Sequence, residues 1–459
     1  MKKNPPRNPF SESEGRRIFL YKRDLRHSRL IESARLASSP TTKSEPDELL
    51  KEIFPELRIG KAFISHALSQ LDACATFGAM VILIDPLKHP DKGLNQEEII
   101  EIPPEIEMDV AHTVDIVCKA QKGVWGHLEQ GVFGCFLPDI PDSLCMDLAQ
   151  EIQRKLSPRR SETVSIGIAG YPCINFPKTR IIDNAYKALE HAGFFGPGSS
   201  VIFDAVSLNI SADRMYQKRD LPGAIEEFTF ALMLDPSNVN VHNSLGVCFG
   251  ELGDFEKALE AFETASWLDP QEVMALYNKG LIHMLKGKRE KALEYFLEAE
   301  RRGDDISEVI AQIGKLYLEL NQTDKARNYL EKAARIKPTS GLVYAALGDC
   351  YVSMEQFEEA ISAFQKAIKK NPNDAASLSA LGSLLESKDE NLEIATTFCL
   401  HSVKIQPESG LFWYRLGSLY LKQNRLEDAL GAFMDAKSRG YDADPLIAEV
   451  QQKITIKAD

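Results

Sequence analysis

Between about Ala205 and Tyr441 the chain repeats one pattern of small, apolar and polar positions every 34 residues. Seven units begin on Ala212, Gly246, Gly280, Gly314, Gly348, Gly382 and Gly417, each followed twelve residues later by an alanine, thirteen in the sixth unit. Those alanines are Ala224, Ala258, Ala292, Ala326, Ala360, Ala395 and Ala429. Four residues further come Phe228, Phe262, Phe296, Leu330, Phe364, Cys399 and Phe433, and three beyond those a second small residue. The spacing predicts two amphipathic helices of about 12 to 15 residues per unit, joined by a polar turn. One such hairpin cannot bury its own apolar stripe, so neighbouring units must stack. Pro236, Pro270, Pro338, Pro372 and Pro407 close five of the second helices, since proline lacks an N–H and disfavours helix in the residue before it. The third unit has Arg301-Arg302-Gly303-Asp304 instead, which predicts a left-handed cap on Gly303. Leu446, Ile447, Val450 and Ile454 predict a closing helix.

Upstream, the pattern changes period. From about residue 47 to 204, "AMVILID" reads as a buried strand, followed by a helix through Val110, Val114 and Val117 and by the paired short strands "VWGHL" and "GVFGCFLP". A helix over "DSLCMDLAQEIQRKL", a strand "TVSIGIAGYP", a helix "IIDNAYKALEHAG" and a last strand "SVIFD" complete it. This order predicts an α/β sandwich of ferredoxin-like type with antiparallel strands. Residues 1–46 read as a basic arm and linker, with an imperfect helical face over "FLYKRDLRHSRLIESARLASS".

Composition narrows the functional classes. With 44% hydrophobic and 26% charged residues over 459 positions, the chain reads as two or three soluble domains. No apolar run approaches the roughly 20 residues of a membrane span, and "MKKNPPRNPF" lacks the apolar core of a secretory signal, so a cytoplasmic protein without membrane insertion is expected. Eight cysteines without a C-x-x-C pair read as reduced core thiols. Residues 1–43 carry 11 basic against 4 acidic side chains, whereas residues 205–459 carry 29 against 39. An acidic array argues against nucleic acid as its ligand.

The repeats resemble the tetratricopeptide repeat family, whose W-L-G-Y-A-F-A-P pattern is matched most completely by Trp413, Leu416, Gly417, Tyr420, Ala429, Phe433 and Ala436. The resemblance implies a multidomain α/β plus all-α chain. Its parts are an arm over 1–46, an α/β domain over 47–204, seven repeats forming an α-solenoid over 205–443, and a capping helix over 444–459. It also implies that the first helix of each hairpin lines a groove for a protein or peptide. The groove positions are Asn243, Met274, Tyr277, Asn278, Leu281, Gln312, Lys315, Asp349, Tyr414 and Arg415. For Met274 and Leu281, packing between repeats is an equal reading. The lysine clamp of chaperone-binding members is not reproduced, because its positions hold Val206, Asn240, Met274 and Glu308.

The α/β region resembles the GGDEF domain of diguanylate cyclases through "TVSIGIAGYP", "NAYKALEHAGFFGPGSSVIFD" and "GHLEQGVFGCFLPD". Joining two GTP molecules requires divalent ions held by carboxylates. Asp85 matches the carboxylate at the end of the family's first strand, although a turn-forming role before Pro86 is an equal reading. The signature itself reads Glu129-Gln130-Gly131-Val132-Phe133, with glycine and valine where the two acidic residues belong. Gly193, Pro197 and Gly198 stand where the family has its lysine, arginine and asparagine. With these departures, the resemblance implies a catalytically degenerate GGDEF-like domain. The expected function is a bacterial signalling or assembly scaffold without a cofactor. The competing readings are an active diguanylate cyclase with a remodelled site, using magnesium and GTP, and a sensor of GTP or a cyclic dinucleotide.

Overall fold

The computed structural model describes residues 45–85, 102–158, 161–303, 306–387 and 391–458, and the helix expected over residues 19–39 lies outside them. The described chain divides into two compact units that meet in sequence at Pro270 and Gln271.

The first unit opens with helices α1 (Glu45–Ile53) and α2 (Gly60–Gln70) and strand β1 (Phe77–Ile84). Helix α3 (Pro104–Ala120), strands β2 (Val124–Glu129) and β3 (Val132–Pro138), helix α4 (Asp142–Leu156) and strand β4 (Val164–Tyr171) follow. Helix α5 (Ile181–Ala192) and strand β5 (Ser200–Ile202) complete the α/β part. The sheet runs β2-β3-β1-β4-β5, antiparallel except for the parallel pair β4 and β5. Its first four strands therefore have the split βαβ order expected from the sequence.

Strand β1 is central, and helices cover both of its faces, which is why "FGAMVILI" is a continuous apolar run. Met80, Ile82 and Ile84 point into the core formed with Val110, Val114 and Val117 of α3 and Ala149 and Ile152 of α4. On the opposite face α5 lies so close to β4 that a Cβ on Gly167 would sit 2.0 Å from the Ala185 carbonyl. Helix α2, which the sequence pattern did not reveal, covers the hairpin of β2 and β3. Its buried Phe63 ring occupies the space that a Cβ at Gly126 would need, 2.4 Å away.

The same unit continues into two helix hairpins, α6 (Ala205–Gln217) with α7 (Leu221–Leu234) and α8 (Val239–Glu251) with α9 (Phe255–Leu268). Their starts are fixed by side-chain caps: Asp204 forms a capping box with Ser207, and Asp220 and Asp254 accept from the N–H groups of Gly223 and Lys257.

The second unit contains five more hairpins. They are α10 (Val273–Leu285) with α11 (Arg289–Arg302), α12 (Ser307–Glu319) with α13 (Thr323–Ile336), and α14 (Gly341–Ser353) with α15 (Phe357–Lys370). Next come α16 (Ala375–Ser387) with α17 (Leu392–Ile405) and α18 (Gly410–Lys422) with α19 (Leu426–Ser438). Within each hairpin the repeated glycine faces the residue sixteen or seventeen positions on, as Gly348 faces the fully buried Phe364 ring. In the sixth hairpin that partner is Cys399, and Ser377, Ser379, Thr396 and Ser402 are buried with it. The closing helix α20 (Asp444–Ala458) buries Val450 against the last hairpin.

One expectation is corrected. Gly303 is extended, with φ −118° and ψ 150°, and forms no left-handed cap. Glycine is needed there for room, since a Cβ would stand 2.7 Å from Val273 Cγ2.

Candidate functional site

The signature hairpin is built as a structural turn. Gly131 has φ +71°, a left-handed conformation that other residues rarely adopt, and a Cβ there would also collide with Ile102 at 2.2 Å. Its N–H donates to Glu107 Oε1 at 2.7 Å, and the same oxygen lies 3.1 Å from His127 Nε2. Glu107 and His127 are both 1% exposed, so this buried contact ties α3 to the turn. Strand pairing shifts between His127 and Glu129, giving a bulge beside the turn. Val132 and Phe133 are buried strand residues paired with Leu83 and Ile82, and Gln130 is exposed. Glu129 is half-buried and accepts from the Tyr186 hydroxyl at 3.4 Å. Glu107 was not singled out from the sequence, yet its place on the stripe of Val110, Ala111 and Val114 marks a carboxylate facing the core.

Asp85 accepts from three protein donors. Thr163 Oγ1 and the Gly198 N–H donate to its Oδ2 at 2.6 and 2.7 Å, and Ser165 Oγ donates to Oδ1 at 2.6 Å. The carboxylate thus joins the end of β1 to β4 and to the loop before β5. The backbone of that loop folds onto the aspartate through the Gly198 N–H. The residues present do not fit a magnesium–GTP site: the acid positions hold Gly131 and Val132, and the remaining carboxylate is engaged by three donors. Among the described residues no group of three or more His, Cys, Asp or Glu side chains is placed to hold a metal ion.

The predicted groove residues separate by burial. Tyr277, Asn278 and Leu281 on α10 are 3%, 0% and 0% exposed, so they fill the interior of their hairpin and are not open to a partner. Tyr277 packs its ring on Phe296 at 5.3 Å, and burial pushes its hydroxyl up to about 12, against a hydrogen bond with Gln312. Asn243 on α8 of the first unit is likewise buried. Met274, Gln312, Lys315, Asp349, Tyr414 and Arg415 remain half-exposed on the first helices of their hairpins. Arg415 donates to Ser379 Oγ at 3.1 Å, and Tyr414 packs between Phe433 and Tyr441 with centroids 5.7 and 4.8 Å away.

A tetratricopeptide-repeat model matches residues 212–265, 249–305 and 400–445, and a second such model matches residues 317–384. The helical array carries tetratricopeptide repeats. None of these matches extends into residues 47–204. No curated protein matches the sequence. Among solved structures the chain is similar to YrrB, a tetratricopeptide-repeat protein described as having an unusual peptide-binding site. The identity is 22% over 43% of this chain and 97% of that one, with a TM-score of 0.36. It is also similar to PilF of Pseudomonas aeruginosa (20% identity, 45% and 94% covered, TM-score 0.43). A third likeness is to a repeat protein of Parabacteroides merdae (20%, 54% and 97%, 0.41).

A feature that sequence reasoning missed joins the first tetratricopeptide hairpin to the α/β part. Lys187 of α5 lies 2.7 Å from Glu227 of α7, with side-chain exposures of 11% and 3%. Glu190 pairs with Arg214 of α6, and His191 Nδ1 stands 3.3 Å from both Ser207 Oγ and Asp204 Oδ1. Phe176 packs edge-on against Phe230 of α7 at 4.6 Å, with the Arg180 guanidinium 5.4 Å from the Phe176 ring. The signal available in the sequence was the run of polar residues Asn184, Lys187, Glu190 and His191, spaced three and four apart on a helix whose other face is apolar.

Proposed function

We propose that this chain is a non-catalytic signalling or assembly scaffold of the bacterial cytoplasm. Its tetratricopeptide repeats bind a protein partner, and its α/β domain is a GGDEF-like domain that has lost the cyclase reaction. The observation that carries the reading is the use made of Asp85, the only carboxylate matched to the family's metal site. Its three donors turn it into a clasp between β1, β4 and the loop before β5. A transition state built on two metal ions loses several kcal/mol with each missing ligand set, so an enzyme with one engaged aspartate has no useful rate. Half-exposed Met274, Gln312, Lys315 and Asp349 support the binding role, because they combine an apolar side chain with amide and charged groups suited to an extended peptide.

The enzymatic part is tested by incubating the full-length protein with GTP and magnesium or manganese for hours and separating the products. No cyclic di-GMP is expected. Product that disappears in Glu129→Ala and Asp85→Asn variants would establish the cyclase instead, and GTP binding without turnover would favour the sensor.

For the binding part, full-length protein with Lys315 and Asp349 changed to alanine is compared with the parent in pull-downs from a bacterial lysate. A protein retained by the parent should be lost from the variant, while the melting temperature stays within a few degrees, as for most surface changes. Equal retention by both proteins would remove these first helices from the binding surface.

A further inference from the structure

The second helices of the hairpins carry an internal comparison that points to a docking surface. Nine residues after the repeated alanine, four of the five later hairpins place Arg301, Arg335, Lys369 and Lys404, all exposed. The same position in the first two hairpins holds Met233 and Trp267, which are 55% and 79% exposed. Both helices therefore leave a large apolar side chain in water at a position where four of the five later hairpins carry a cation and the last carries Ser438. On α9 the exposed Glu256, Glu260, Glu263 and Trp267 recur at intervals of four, three and four, so they lie along one helix face. Among the described residues no basic side chain pairs with those three glutamates. The surface thus offers apolar anchors at one end and unpaired negative charge along the other, which suits a basic amphipathic segment.

This chain contains such a segment. Residues 19–39 carry five Lys/Arg against two Asp/Glu and interleave Leu20, Leu25, Leu30 and Leu36, and they precede the first described residue, Glu45, of the same unit. We propose that this N-terminal segment docks in cis on the exposed face of α7 and α9, with leucines on Met233 and Trp267 and basic side chains along Glu256, Glu260 and Glu263. The inference is independent of the role assigned to the first helices. It concerns the second helices of the first unit.

The test is hydrogen exchange on the full-length protein at low concentration. The parent is compared with a Met233→Arg, Trp267→Arg double variant, which installs the side chain found in the later hairpins, and with a Glu256→Lys, Glu260→Lys, Glu263→Lys variant. All changed positions are exposed, and unaltered exchange in the interiors of α7 and α9 verifies that each variant is folded. Amides of residues 19–39 should exchange about tenfold faster in both variants than in the parent. Raising the salt to about 0.5 M should accelerate the parent as well, because exposed charge pairs are screened. Identical exchange of residues 19–39 in the parent and the double variant would overturn the proposal. Protection that grows with protein concentration would overturn it too, by assigning the surface to a second copy's segment.

Discussion

Replacing Lys187 with alanine should destabilise the first unit by about 3–5 kcal/mol, since it leaves Glu227 buried without its cation. For a unit of this size that corresponds to a fall of roughly 10 °C in melting temperature. The expected loss is large because the Glu227 side chain is 3% exposed and cannot reach water without separating α7 from α5. A Lys187→Met, Glu227→Leu double variant should recover most of the loss, because apolar residues of similar volume replace buried pairs at little net cost. Thermal unfolding followed by circular dichroism decides it. A single variant melting within two or three degrees of the parent would show that α7 does not depend on this contact. A fragment beginning at Ala205 loses both Lys187 and Glu190, so its first hairpin should be less ordered than the same hairpin in the full chain.

Phe364→Ala is expected to have a comparable effect in the second unit, about 3–5 kcal/mol for a buried phenylalanine truncated to a methyl group. The ring is fully buried, and Gly348 is bare so that α14 can lie against it: a Cβ on Gly348 would be 2.5 Å from the ring. The truncation leaves a void that neither helix can close without losing its register with the neighbouring hairpins. Urea unfolding of the full-length protein, read at the helical signal, should show the second unit melting at a clearly lower concentration. An unchanged midpoint would contradict the assignment of this aromatic position as the centre of each hairpin.

Much of the fold was legible because period and burial coincide. Alanine and phenylalanine recur every 34 residues, and both are buried at every turn of the array except where Leu330 and Cys399 substitute. The strands of the α/β part were legible for a related reason, since β1 and β4 are buried on both faces and read as unbroken apolar runs. Helix α2 was not, because "GKAFISHALSQ" buries only Phe63 and Ala67 and so shows almost no stripe. The cap expected on Gly303 failed because local sequence cannot see Val273 across the hairpin.

The candidate site was legible in composition and not in geometry. That Gly131 and Val132 stand where the resemblance would place acidic residues is a reading of the chain alone. That Glu107 anchors Gly131, and that Asp85 is engaged from Thr163, Ser165 and Gly198, depends on residues between 24 and 113 positions apart. Likewise, a helix position can be assigned to the first-helix face from the repeat register alone. Whether a side chain such as Asn278 is open or covered depends on its neighbours, and here it is covered.

The polar interior of the sixth hairpin has a consequence for how the second unit would come apart. Cys399 fills less volume than phenylalanine and reaches across only weakly, with its Sγ 3.9 Å from the Ser379 carbonyl of α16, and the hydroxyls of Thr396 and Ser402 donate to carbonyls of their own helix at 2.7 and 2.8 Å. A row of modules held only by nearest neighbours parts at its poorest joint, whatever the average of the others. Stretched from its ends or warmed slowly, this row therefore has a seam near its far end. A parting between α16 and α17 would carry α17 away with α18, α19 and α20 as one piece, since Gln423 at the end of α18 donates to Thr396 Oγ1 of α17 at 2.8 Å, while the hairpins before the seam stayed closed.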